Sequence, residues 1–387
     1  MDRLYFDNGA TSFPKAPGLG AAVGHYLEDI GTNINRSSYA AATTAALTAL
    51  ETREQLARLF HFGDPSHVIF TSGVTMSLNL VIKGLLKPGD HAIVSSMEHN
   101  ATMRPLVQLA AQGVTFDRIP GDDRGQLDAQ SIIPLIRPNT RLIACLHASN
   151  VCGTLLPVAE IGQISQDYGI PFLLDTAQTA GHIDIDFKDL GLSALGFTGH
   201  KGLLGPQGIG GLLLTPELAQ TLTPLIAGGT GSASDSEELP TYMPDRFESG
   251  TLNLPGIYGL HHSLCFLEDN DWQKMHTLEM ERTKQFLDGV SVLPNIRRVG
   301  LPGTSGRMAV VSLDFTDRDN AMVAHRLSSE YGIMTRCGLH CAPSAHQTLG
   351  TYPQGSVRFS FSAFNTAQEI HQAITALEEI LQGGSCR

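Results

Sequence analysis

Two neighbouring stretches decide how this chain folds: "LLDTAQTAGHIDID" at residues 173–186 and "LGFTGHKGLLGPQGIGGLLL" at residues 195–214. Each opens as a short apolar run, the pattern of a strand buried on both faces. Each run then ends in polar residues, Asp175 and Gln178 in the first, Thr198, His200 and Lys201 in the second. An acid after a strand is often only a helix cap, and an isolated lysine is usually a surface charge. A lysine set among apolar residues and glycines is hard to explain as a solvated one.

Working outward, the same alternation runs from residue 38 to about 215. "YAAATTAALTALETREQLARLF" (39–60) has apolar residues at helical spacing, as do residues 75–86 and 101–112. "HVIFTS", "HAIVSS", "LIACLHAS", "PFLLDTA", "SALGFTG" and "GIGGLLL" read as strands. Strands alternating with helices predict an α/β fold with a mostly parallel sheet, whose ligands bind beyond the carboxyl ends of the strands. Residues 228–253 lose this periodicity and predict a long loop; helices around 255–290 and 366–382 and strands at 308–315 and 355–362 follow. With 387 residues the chain exceeds a single core, so two domains are expected: a large one over 14–255, and a small α+β one formed by 1–13 and 256–387.

Composition excludes several functions. The net charge is −12 and none of the 26 basic residues forms a run, which argues against nucleic-acid and anionic-membrane partners. The amino-terminal residues lack a signal-peptide pattern and no apolar run is long enough to span a membrane, so a cytoplasmic location is expected. Six cysteines (145, 152, 265, 337, 341 and 386) are too few for a disulfide framework and fit a reducing compartment. "MTRCGLHCAPSAH" (334–346) crowds Cys337, His340, Cys341 and His346 together, and could hold zinc, form a redox pair or present one thiolate. Structural zinc sites usually draw a second ligand pair from a distant segment, so no metal is expected here.

The order strand, Asp175, strand, Lys201, glycine-rich turn describes a pyridoxal phosphate site. That cofactor needs an amine for its aldehyde, an anion for its ring nitrogen and donors for its phosphate. Lys201 and Asp175 supply the first two. Gly73, Val74 and Thr75 lie between a strand and a helix, where free N–H groups and the helix dipole favour a phosphate.

The chain resembles the class V aminotransferase-like enzymes of fold type I, and among them the cysteine desulfurases and selenocysteine lyases. The resemblance runs nearly end to end, through "YFDNGATSFPK", "FTSGVTMSLNLV", "MEHNA", "HASNVCGTLLPV", "DTAQ", "TGHKGLLGPQGIGGL", "FESGTLN", "RCGLHCAP" and "VRFSFSAFNT". It implies a mostly parallel seven-stranded sheet and pyridoxal 5'-phosphate on Lys201. Asp175 would pair with the ring nitrogen, Gln178 with the ring hydroxyl, and His99 would stack on the ring. Thr75, Thr198 and His200 would bind the phosphate, with Thr251 reaching in from the second subunit of a homodimer. Asn150 and Arg358 would hold the substrate carboxylate, Asn8 and Arg36 would complete the substrate pocket, and Cys341 would be the nucleophile.

Taken singly, these residues keep other readings. His99 could be a satisfied histidine at a strand end, Arg358 an outward charge on an edge strand, Asn150 a turn residue, and Thr251 a local cap. Val74 stands where relatives often carry a second threonine, Tyr39 stands where they often carry histidine, and "DTAQ" replaces the commoner "DGAQ". The resemblance implies conversion of L-cysteine to L-alanine, with sulfur passed to Cys341 as a persulfide and on to an acceptor protein. Alternatives are a selenocysteine lyase, a cystine lyase, an aminotransferase that leaves Cys341 idle, or a zinc scaffold on residues 337–346. His340 and Arg336 are the candidates in sequence for activating Cys341, and Cys337 and Cys386 for handling sulfur.

Overall fold

The computed structural model describes residues 3–34, 39–233 and 235–383. Arg36 and Cys386 lie outside the described residues.

Seven strands form the central sheet in the order Val68–Thr71, Gly210–Leu214, Ala194–Thr198, Phe172–Asp175, Thr140–Leu146, His91–Ser95 and Thr115–Ile119. Neighbours from Ala194–Thr198 to Thr115–Ile119 pair parallel, and Gly210–Leu214 runs antiparallel to both strands beside it. The reason is visible in the side chains. Phe172 and Leu174 join one hydrophobic cluster and Leu173 the other; Ile143 and Cys145 likewise face away from Leu142 and Ala144. Both faces of the sheet are covered, so alternation of hydrophobic with polar residues disappears and the strands read as continuous apolar runs. Each such side chain, fully buried, contributes about 1.5–3 kcal/mol.

Helix Ala40–Leu59 packs on one face, with Leu56 and Ala57 in the first cluster. Helices Val74–Leu85 and Asn100–Ala110 cover the other with Leu78, Val81, Ile82 and Leu106. The expected helix around 255–290 is two, Leu254–Asp269 and Trp272–Val290. Asp271 has a φ of +52°, which ends the first, and its carboxylate accepts from the Lys274 N–H to cap the second.

The carboxyl-terminal part builds a four-stranded sheet in the order Arg336–Gly338, Ser356–Ser360, Val310–Phe315 and Ile296–Val299, all antiparallel. Helices Asn320–Tyr331 and Ala367–Gln382 cover it, the latter opened by a reciprocal cap between Thr366 and Glu369. The amino terminus is bound into this part: Leu4–Tyr5 pairs with Ile333–Met334, and Asp7 bridges to Ser360. Among the described residues of 228–253, the short turn of helix Asp245–Phe247 is the only regular element, as their composition predicts. Among the described residues, no helix is long and apolar enough to cross a membrane.

Candidate active site

A cavity of about 430 Å³ opens where the parallel strands end. Gly73, Val74, Thr75, His99, Asn150, Asp175, Gln178, Thr198, His200, Lys201 and Arg358 all line it, together with Arg336 and His340. Segments far apart in sequence therefore meet as the motif order suggests.

Asp175 closes its strand and is buried, and its Oδ1 accepts from the Ala177 N–H at 2.8 Å. Burial pushes its carboxyl pKa up, against the Ala177 N–H and the Lys201 charge. A cationic group at its free oxygen would relieve that cost. Lys201 sits in the Gly-rich turn after the next strand. Burial is the main reason its amine is lowered to about 8, with Asp175 acting against the shift. Gln178 donates to the Gly9 carbonyl at 3.1 Å, which fixes its side chain at the wall.

Gly73 begins the helix Val74–Leu85 at φ +144°, a conformation that side chains rarely adopt. A Cβ on Gly210 would lie 2.7 Å from the Gly73 Cα, so both glycines are needed for the strand Gly210–Leu214 to pass under this turn. The first N–H groups of an α-helix have no partner within it, and Gly73, Val74 and Thr75 at this helix start line the cavity.

His99 caps the helix Asn100–Ala110: its Nδ1 accepts from the Ala101 N–H at 3.0 Å. A nitrogen that accepts cannot carry a proton, so the ring is neutral with its proton on Nε2. Burial, helped by the Lys201 charge, lowers its pKa to about 4. His99 is thus both a capped strand-end histidine and a wall of the cavity. His200 turns its backbone carbonyl the other way, where it accepts from Lys15 Nζ at 2.7 Å, Thr11 Oγ1 at 3.0 Å and the Ser12 N–H at 3.0 Å.

Arg358 is only 2% exposed, which removes its reading as an outward charge. Its Nη2 lies 2.7 Å from Asp7 Oδ1, its Nη1 donates to the Asn150 carbonyl at 3.0 Å, and its Nε has no partner. The Asn150 amide nitrogen donates to the His340 carbonyl at 2.8 Å, and its Oδ1 is unpartnered. Arg336 pairs with Arg358 across neighbouring strands. Unpaired buried polar atoms are rare in native folds. Here His200 Nδ1, Asn150 Oδ1 and Arg358 Nε gather around one cavity, as the wall of a polar ligand's site does.

Three expected residues stand elsewhere. Asn8 donates to the Ser360 carbonyl at 2.9 Å and accepts from the Phe13 N–H, so it holds the backbone while Gly9 and Ala10 line the cavity. Thr251 lines an adjoining cavity of about 240 Å³ that shares Ser72, Met76 and Gly208 with the first. Cys341 is exposed and is not part of the wall, although His340 beside it is. Its loop is fastened on both sides: the Cys341 carbonyl accepts from the Asn100 N–H at 2.8 Å, and the His340 Nε2 lies 3.2 Å from Ser356 Oγ. Both residues have left-handed backbones, with φ of +48° and +58°. Burial holds the His340 pKa down at about 2, so this histidine is neutral. The ligand atoms of Cys337, His340, Cys341 and His346 do not converge as a metal-holding group of three among the described residues.

Sequence reasoning missed Asp7, Lys15 and Gln207. The signal for Asp7 and Lys15 was the run "YFDNGATSFPK" and that for Gln207 the run "TGHKGLLGPQGIGGL", both read only as family likeness; nothing local tells that Asp7 meets an arginine 351 positions away.

The family model for aminotransferase class-V matches residues 4–373. The chain belongs to the class V aminotransferase family. Relatives within it include a probable cysteine desulfurase of Methanothermobacter thermautotrophicus, 31% identical over 98% of this chain and 95% of the relative. Another, from Pyrococcus abyssi, is 33% identical over 98% of this chain and 94% of the relative. The apo structure of the cysteine desulfurase from Thermococcus onnurineus NA1 superposes with a TM-score of 0.92 at 31% identity, covering 99% of this chain and 95% of that one.

Proposed function

We propose that the protein is a pyridoxal phosphate-dependent cysteine desulfurase that converts L-cysteine to L-alanine and collects the sulfur on Cys341. The observation that carries this reading is one cavity lined by Lys201, Asp175 and Arg358, with the exposed Cys341 beside its wall residue His340. The cofactor fits the donors present. Lys201 offers the amine and Asp175 a carboxylate whose charge burial penalises. His99 offers a neutral ring, and the Gly73–Thr75 turn, Thr198 and His200 offer phosphate donors. Gln178 completes the ring's edge. When bound, pyridoxal phosphate supplies an aldehyde for the substrate amine and an electron sink for its α-carbon.

Arg358 and Asn150 orient the substrate carboxylate, a planar anion that suits a guanidinium. Lys201, with an amine lowered to about 8, has a neutral fraction near neutral pH and takes the α-proton on Nζ. Cys341 as thiolate attacks the substrate sulfur. A sulfur–sulfur bond forms and the Cβ–Sγ bond breaks with its electron pair left on Cβ; protonation of Cβ and return of the α-proton from Lys201 Nζ to Cα give alanine. With its pKa held at about 2, His340 is too weak a base for the thiol proton; it shapes the Cys341 loop, and solvent takes the proton from the exposed thiol. Exposure of Cys341 then suits transfer of the persulfide sulfur to an acceptor protein.

The large domain of this reading spans 14–255, and the small one, of 1–13 and 256–387, carries Arg358 and the Cys341 loop. The chain works as a homodimer in which Thr251 faces the partner's phosphate site. The free thiols at Cys145, Cys152, Cys265, Cys337 and Cys341 suit a reducing, cytoplasmic setting. The test is to incubate the purified, cofactor-loaded protein with L-cysteine and L-selenocysteine in parallel and to measure alanine with sulfide or selenide. Alanine from cysteine that disappears in Cys341→Ser supports the proposal. Alanine from selenocysteine alone would make the enzyme a selenocysteine lyase, and alanine from neither would remove it from both classes.

A further inference from the structure

The metal-ligand geometry in this molecule lies away from the cysteine-rich stretch. His182, in the turn after the Asp175 strand, and His276 and Glu279, on helix Trp272–Val290, place three ligand atoms within 4.8 Å of one another. His182 Nδ1 is 2.8 Å from Glu279 Oε2, and His276 Nδ1 is 3.4 Å from the same oxygen. We propose that these residues form a binding site for a borderline divalent transition metal of the zinc class, joining the turn after Asp175 to helix Trp272–Val290.

Three observations carry it. The first is the donor set: two imidazole nitrogens and one carboxylate oxygen are the ligand types that zinc takes, and His276 and Glu279 stand three residues apart on one face of a helix. The second is spacing. Zinc bonds of about 2.0–2.1 Å in a tetrahedron put neighbouring ligand atoms about 3.3–3.4 Å apart. The 2.8 and 3.4 Å separations bracket that edge, and the remaining pair closes by side-chain rotation.

The third is the balance of burial and access. The Glu279 side chain is 5% exposed and those of both histidines 21%, so the carboxylate is sheltered while the imidazole rings are only partly enclosed. A simple ion pair accounts for Glu279 with His182 but leaves His276 Nδ1 aimed at the same oxygen at a long 3.4 Å. The site also touches the active site mechanically. A Cβ on Gly202 would lie 2.5 Å from His182 Cδ2 and Nε2, so the His182 ring rests directly against the residue after Lys201. A metal that fixes His182 therefore stiffens the backing of the Lys201 turn.

The test is calorimetric titration of zinc chloride into the chelator-stripped protein in a Cys341→Ala background, which removes the exposed thiol among the described residues. One zinc per chain is expected, with at least tenfold weaker binding in His276→Gln. Glutamine keeps a hydrogen-bond donor beside Glu279, and an unchanged thermal melt of the variant shows that the fold is in place. An isotherm unchanged by His276→Gln, or no uptake at all, would overturn the proposal. Cobalt(II) added to the unsubstituted protein gives an independent reading. Visible ligand-field absorption without a thiolate charge-transfer band supports the histidine–carboxylate site, whereas a thiolate band would move the metal to the cysteines.

Discussion

Asp7 Oδ1 and Arg358 Nη2 lie 2.7 Å apart, so the arginine assigned to the substrate carboxylate already faces a carboxylate of the chain itself. The guanidinium is 2% exposed, and without Asp7 its charge is poorly compensated. Asp7 is 22% exposed, which tempers the loss. Asp7→Asn is expected to lower stability by roughly 1–3 kcal/mol in denaturant titrations. The same change removes the competitor for Nη2, so the KM for cysteine should fall. A rise in KM with unchanged stability would show that Asp7 does not occupy the substrate's place.

Arg358→Lys keeps the charge and loses the planar fork. A charge-assisted hydrogen bond is worth about 1.5–3 kcal/mol, so KM should rise roughly 10- to 100-fold. Steady-state kinetics with cysteine would measure this, and kcat should change less than KM.

His99 has two functions that separate by substitution. Asparagine can still accept from the Ala101 N–H, whereas alanine cannot. His99→Asn is expected to keep the melting temperature and lose activity. His99→Ala should lose activity and in addition about 1 kcal/mol of stability. Equal stability in the two variants would remove the cap.

The carboxylate of Glu279 fixes a pH signature in chelated protein. Burial alone would raise its pKa, but His182 and His276 hold it at about 2, below the usual 4.5. Its contribution is therefore complete above pH 4.5 and is lost as pH falls through about 2. Burial opposes, but Glu279 raises, the His182 pKa above 6.5, so that contribution is complete below pH 6.5 and is lost as pH rises through the folded value. The stability difference between the unsubstituted protein and Glu279→Gln should thus be largest between pH 4.5 and 6.5 and shrink on either side. A flat difference across pH, followed by thermal melting, would remove the coupling.

The buried strands were legible because burial on both faces writes itself as unbroken apolar sequence, as in Phe172, Leu173 and Leu174. Thr115–Ile119 was not: as the edge strand it is largely uncovered, and "TFDRI" carries no apolar run. Arg336–Gly338 is three residues long and only partly buried, too short for any period. At the site, the ends of the strands exposed Asp175, Lys201 and His99, because a polar residue closing an apolar run stands out. Lys15 and Asp7 did not stand out. Their meaning lies in contacts to His200 and Arg358, which only the folded chain brings near.

The amino-terminal residues are stitched at both ends of the site. Leu4, Phe6 and Asp7 are tied to the strands Ile333–Met334 and Ser356–Ser360, while Thr11, Ser12 and Lys15 hold the carbonyl just before Lys201. During synthesis, residues 4–7 wait for more than three hundred others before their partner strand exists. The pocket can therefore reach its final shape only after Arg358 and Ser360 have been made. A ligand that needs both walls of the pocket cannot be held at full affinity before then.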